Sequence, residues 1–187
     1  MENKILYFEK PGKQNTDATL RIARERAEEL GITQIVVAST HGYTAKRASE
    51  IFAGLDVRII AVTICAGFED VGWTMTPEER AEVEALGVTV LTGIHALGDD
   101  VSDAFGARSP NRIVRETLYR FCQGAKVAVE VAIMAADADL LDLSQEVIAI
   151  AGTGEGADTA FVLVPACALR FKKLEICEIL AKPRRVK

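Results

Sequence analysis

The segment VRIIAVT, residues 57–63, is too apolar along its whole length to leave one face in water. A strand of that kind must be covered on both sides of its sheet. Similar short runs recur along the chain: ILYF at 5–8, IVVA at 35–38, VTVL at 88–91, VIAIA at 147–151 and AFVLV at 160–164. Between the early runs lie segments with helical periodicity. Residues 16–30 place Leu20, Ala23, Ala27 and Leu30 on one stripe, with Gly31 as the stop. A second helix carries Ala45, Ala48 and Phe52. Thr76-Pro77-Glu78-Glu79 reads as a capping box that opens a third, ending at Gly87.

Ser109-Pro110 opens a further helix that Gln123-Gly124 closes. Residues 126–140 fit two periods: Val127, Val129, Val131 and Ile133 alternate like a strand, while Val127, Val131, Met134 and Ala138 form a helical stripe. Length and the run of alanines favour a buried helix. Residues 174–180 form a last strand and PRRVK a solvated tail. Strands and helices alternate over short connections, which predicts one domain spanning residues 1–187. Its architecture is a three-layer α/β/α fold with a mostly parallel sheet. In such folds ligands gather beyond the carboxyl ends of the strands, where strand order reverses.

Composition narrows the function. A formal charge of −5 over 187 residues argues against nucleic acid, whose binding needs a basic face. No apolar run is long enough to span a membrane, and MENKILYFEK has no signal-peptide core, so a cytoplasmic location is expected. The four cysteines are far apart, and three sit in apolar segments, which predicts buried free thiols. Two histidines, His41 and His95, are too few for a zinc site, so no metal is expected.

Residues 39–44, STHGYT, lie at the carboxyl edge, between an apolar strand and a helix. A phosphate there meets the first free amides of the helix. Gly42 allows close approach, and Ser39, Thr40 and Thr44 can add hydroxyls; the alternative is an ordinary capped turn. The second glycine-rich stretch, GTGEGADT at 152–159, is not a dinucleotide fingerprint, because a strand and not a helix follows it. It reads as a hairpin loop, either one that folds over a site with Asp158 among the candidate ligand contacts, or simply a wide turn with Asp158 as a turn former. Thr63, Thr92, Ile94 and His95 end neighbouring strands at the same edge. His41 faces the site as a ligand contact, whereas Lys46 and Arg47 lie on a solvated face within reach of an anion. Glu130 and Asp137 are carboxylates on an apolar helix and need partners or a ligand. Trp73 is expected to pack rather than stack on a ligand.

Strand, then [ST]-T-x-G-x-T-A, then helix, then IIAVT resembles the C-terminal domain of pyruvate kinase. AKVAVEVAIMAADADLLDLSQEVIAIAG resembles that domain's last helix and next strand, and GTGEGADT with AFVLVP its antiparallel closing hairpin. The resemblance covers about residues 31–165 and is weak between 68 and 111, where IHALGDDVSDAFGARS is an insertion. In pyruvate kinase this domain binds a regulatory sugar bisphosphate. That implies phosphate contacts at Ser39, Thr40, Gly42 and Thr44, and a cover at Gly152, Thr153, Gly154 and Gly156. His41, Tyr43 and the absence of tryptophan from the hairpin loop depart from the pattern for a sugar bisphosphate.

With ILYF, KPGKQNT and GADTAFVLVPA, the chain is more similar to a family of stand-alone proteins, chiefly archaeal, that resemble this domain and are associated with flavin mononucleotide (FMN). The resemblance implies a phosphorylated small-molecule ligand, with FMN foremost. It also implies a homo-oligomer, since pyruvate kinase uses this domain in its tetramer contacts. No nucleophile–base–acid set emerges. The readings are therefore a binding module, a flavin-dependent or phospho-metabolite enzyme drawing on His95, Glu130 and Asp158, or an assembly domain.

Overall fold

The computed structural model describes residues 3–98, 100–107 and 109–185. Asp99 and Arg108 of the insertion, and Val186 and Lys187 of the expected tail, lie outside them. Seven strands form one sheet in the order β1-β7-β6-β5-β2-β3-β4. The strands are β1 (Leu6–Phe8), β2 (Gln34–Ala38), β3 (Arg58–Ile64), β4 (Thr89–Gly93), β5 (Val147–Ala151), β6 (Thr159–Val164) and β7 (Glu175–Pro183). The pairs β2–β3, β3–β4, β2–β5 and β1–β7 are parallel. β6 runs antiparallel to both β5 and β7.

The helices are α1 (Thr16–Leu30), α2 (Tyr43–Ile51), α3 (Pro77–Glu84), α4 (Asp100–Ala104), α5 (Asn111–Tyr119) and α6 (Gln123–Asp137). Alternate residues of each central strand face opposite cores. Ile35 and Val37 of β2 pack with Leu20, Ala45 and Phe52, under α1 and α2. Val36 packs with Val129, Ala132 and Ile133, under α6. That division is why VRIIAVT has no polar side: Ile60 and Val62 serve one core, and Ile59 and Ala61 the other. The three-layer fold and the antiparallel C-terminal strands agree with the sequence expectation.

Some boundaries differ. Gln123-Gly124 does not close α5, which ends at Tyr119; it opens α6. Gly124 sits there because a Cβ would lie 2.2 Å from Thr159 Oγ1, so packing against β6 outweighs its poor helix propensity. Buried thiols were expected, but only Cys122 is buried, and Cys177 is exposed on β7. The last strand runs past Leu180 to Pro183, with Leu6, Tyr7 and Phe8 alongside it.

Arg26 of α1 fastens β7 through hydrogen bonds to both carboxylate oxygens of Glu178, at 2.8 and 2.5 Å. Those bonds hold the Glu178 carboxyl below its ordinary 4.5 and the Arg26 guanidinium above its own value. A depressed carboxylate contributes stability above its unfolded pKa that disappears as pH falls through the folded one. The melting temperature should therefore hold level from pH 7 to 5 and fall below about 4.5. In Glu178→Gln this part of the acid slope should be lost, as read from thermal melts across that range.

Candidate functional site

β2, β3, β4 and β5 all end on one edge of the sheet. From β2 the chain moves outward through α2 to β3 and then β4. It returns across the other face, through α6, to β5 on the opposite side of β2. The strand order therefore reverses between β2 and β5, and the loops that follow them, 39–42 and 152–158, flank that switch point. α1, α2 and α6 all begin at this edge, which brings three positive helix ends toward it.

The β2–α2 loop is shaped by two residues. Ser39, buried, has its amide donating to Val62 O at 2.9 Å and its Oγ accepting from Ala45 N–H at 3.1 Å. Gly42 takes a left-handed conformation (φ 82°) at the N-cap of α2, where no side-chain cap forms. A Cβ there would sit 2.7 Å from Val83 Cγ2 of α3. Gly42→Ala is therefore expected to cost about 1–2 kcal/mol in a denaturant titration, from strain and contact together.

The amides of Tyr43 and Thr44 and the hydroxyls of Thr40 and Thr44 have no hydrogen-bond partner among the described residues. Thr44 is only 3% exposed, and a buried hydroxyl ordinarily has a partner. Thr63 is also buried, at the end of β3, and donates to Ile64 O at 3.1 Å.

Lys13, to which the sequence assigned no part, joins this loop to the hairpin loop. Its Nζ lies 4.3 Å from the Tyr43 ring centroid and 3.1 Å from Glu155 Oε2. The hairpin loop itself is seated on the start of α1. Ala157 N–H donates to Thr16 Oγ1 (3.0 Å), and Gly12 N–H donates to Asp158 Oδ2 (2.9 Å). Asp158 is fully buried and also accepts from Thr159 Oγ1 at 2.8 Å. Its carboxylate, a candidate ligand contact in the sequence, thus holds the hairpin loop to the segment before α1. Gly152, Thr153, Gly154 and Gly156 lie in the same loop, Gly154 exposed and the other three half-buried. Open grooves of about 750 and 490 Å³ lie elsewhere, along α5 and at the opposite strand edge beside Asp139 and Asp142.

His41 is exposed, and both of its ring nitrogens have partners. Its Nδ1 lies 3.1 Å from Glu79 Oε2 and its Nε2 3.1 Å from the Gly72 carbonyl. Glu79 completes the capping box with Thr76; the Thr76 amide, and then His41, holds the Glu79 carboxyl below its ordinary 4.5. Lys46 pairs with Glu82, and Arg47 with Asp17 of α1 and Glu50 of its own helix, so both cations have local carboxylate partners. Thr92 accepts from Arg80 at 2.6 Å, and Ile94 is exposed.

Glu130 is buried on α6, ion-paired with buried Lys126, and its Oε1 accepts from Leu97 N–H at 3.0 Å. Asp137, two turns further on and about 10 Å away along the helix, accepts from Ala168 N–H at 3.1 Å. It serves the opposite strand edge, because α6 runs from the site toward the start of β5. Trp73 does pack, its ring nearly parallel to Phe68 (interplanar 10°, centroids 6.3 Å apart), yet it remains 55% exposed. Among the described residues, no group of three or more His, Cys, Asp or Glu side chains is placed to hold a metal ion. Nor is any helix there long and apolar enough to cross a membrane.

A pyruvate kinase from Cryptosporidium parvum in complex with ADP shares 16% identity over 87% of this chain, with a TM-score of 0.39. A second pyruvate kinase structure from that organism shares 15% over 79%, also at 0.39. The chain spans about a quarter of the length of these enzymes, 24% and 22% respectively. The family model of the pyruvate kinase alpha/beta domain matches residues 17–163 and leaves out only β1, β7 and the segments beside them. On that match, over most of its length, the chain belongs to the pyruvate kinase alpha/beta domain family.

Proposed function

We propose that the protein binds a phosphorylated small molecule at the switch point, with its phosphate at the N-terminus of α2. The observation that carries this is the set of unpartnered donors at one spot: the Tyr43 and Thr44 amides and the Thr40 and Thr44 hydroxyls. Lys13 lies over the Tyr43 ring, where its ammonium is paired with Glu155, so a bound phosphate would share that cation with the carboxylate. The resemblance of the sequence to stand-alone, chiefly archaeal proteins associated with FMN makes FMN the first ligand to test.

Holding a ligand fits these residues better than transforming one. Two of the groups an enzyme would draw on, Glu130 and Asp158, spend their oxygens on backbone amides and fixed side chains. The test is a fluorescence titration with FMN and with riboflavin, which lacks the phosphate. FMN should bind at least about tenfold more tightly, and Thr40→Ala/Thr44→Ala should lose about that factor with an unchanged circular dichroism spectrum. Equal affinity for the two flavins, or an unaltered FMN affinity in the double variant, would refute the proposal.

A further inference from the structure

After β3 the chain makes a 3-10 turn at Ala66–Val71 and then reverses at Gly72 (φ 71°). Gly72 N–H donates to Glu69 O at 2.8 Å and Trp73 N–H to Phe68 O at 3.2 Å, which returns the indole over the Phe68 ring. Phe68 in turn meets the His95 ring at 5.4 Å, tilted 48°. His95 comes from the loop after β4, the neighbouring strand. Glu130 anchors that loop through the Leu97 amide, and Gly98 N–H closes it onto His95 O at 3.0 Å. Three aromatic rings from two adjacent loops are thus held together at the ligand edge of the sheet.

Phe68 and His95 are half-buried in this cluster, while Trp73 keeps more than half of its surface in water. Exposing a large aromatic ring forgoes the free energy of burial, about 25 cal/mol per Å² of apolar surface. The cluster is also joined to the phosphate loop. His41, one residue after Thr40, contacts the carbonyl of Gly72, one residue before Trp73. The loop bearing Trp73 therefore abuts the loop proposed to hold the phosphate.

We propose that Trp73, backed by Phe68 and His95, is the stacking surface for a planar aromatic ring on the phosphorylated ligand. The ligand class is then a ring-bearing phosphate, a nucleotide or flavin, and not a sugar phosphate. This rests on the phosphate site proposed above. A ring has π-faces that stack favourably on an aromatic side chain, each such contact being worth on the order of tenfold in affinity. A sugar has none.

Three probes separate the two ends of the site: FMN, adenosine monophosphate and ribose 5-phosphate, which has sugar and phosphate but no ring. Affinities are measured by calorimetry, and the chain's single tryptophan reports stacking directly through quenching. At least one ring-bearing phosphate should bind about tenfold more tightly than ribose 5-phosphate and quench Trp73. Trp73→Leu should abolish that advantage without changing ribose 5-phosphate binding, while Trp73→Phe should keep most of it. Thr40→Ala/Thr44→Ala should weaken all three probes alike. If Trp73→Leu binds FMN and adenosine monophosphate as the wild type does while the threonine variant weakens them, the stacking surface is refuted and the phosphate site stands. If the threonine variant binds every probe normally, the phosphate site itself is refuted. Ribose 5-phosphate binding as tightly as both ring-bearing probes also overturns the stacking surface.

Discussion

Glu130→Leu is expected to lower the unfolding free energy by about 3–5 kcal/mol, among the largest effects of any single replacement in this chain. Lys126 and Glu130 lie one turn apart on α6, with side chains only 7% and 3% exposed. Removing the carboxylate leaves a buried ammonium without its counter-charge and the Leu97 amide without its acceptor. The two losses can be separated. Glu130→Gln keeps an acceptor for Leu97 but not the charge, so it should recover only about the net worth of a hydrogen bond, on the order of 1 kcal/mol.

Pairing Glu130→Gln with Lys126→Met removes the stranded charge and should recover most of the rest, since an apolar replacement of a buried pair is often neutral. Denaturant titrations of the four proteins would show it. A Glu130→Leu protein as stable as the wild type would mean that the pair is not buried as described. The same bond fixes the loop bearing His95, so Glu130→Gln should preserve, and Glu130→Leu weaken, the affinity for a ring-bearing phosphate.

Gly152→Ala is expected to cost about 3 kcal/mol. Its Cβ would fall 2.5 Å from the Gly156 carbonyl oxygen and 2.9 Å from Ala157 Cα, both backbone atoms that no rotamer change can move aside. The hairpin loop has to open, and opening it pulls Ala157 from Thr16 and Asp158 from Gly12. Hydrogen exchange at the Gly12 and Ala157 amides should rise together with the drop in melting temperature. A normal melting temperature would show that the loop yields freely and that its packing on α1 matters little.

Much of the fold was legible because both main signals are local. The apolar runs at 35–38, 57–63 and 147–151 marked strands covered on both faces, and the capping box at Thr76 forms as its residues predict. Gln123-Gly124 misled because a helix-breaking glycine also serves where a helix must approach a strand closely, and sequence does not say which applies. The extension of β7 to Pro183 was hidden for a related reason. Its partner, β1, is more than 170 residues away in the chain, as is clear from Leu6 opposite Ala181.

The candidate site divides the same way. The strand-to-helix pattern put STHGYT at the carboxyl edge of the sheet without any coordinates, because a strand-to-helix turn is built from consecutive residues. Nothing in the sequence drew Lys13 to Tyr43, stood His41 between Glu79 and Gly72, or stacked Trp73 on Phe68 while leaving half of it exposed. Asp137 and Glu130 looked alike on the helical stripe, yet they serve opposite edges of the sheet, set by the direction in which α6 crosses it. Sequence by itself determined the layers, the strands and the loop beside β2, since burial period, caps and turn chemistry act over a few residues. Which polar groups were left without partners, and which aromatic stayed in water, only the tertiary structure decided. Those outcomes depend on distant segments competing for the same hydrogen bonds and the same buried space.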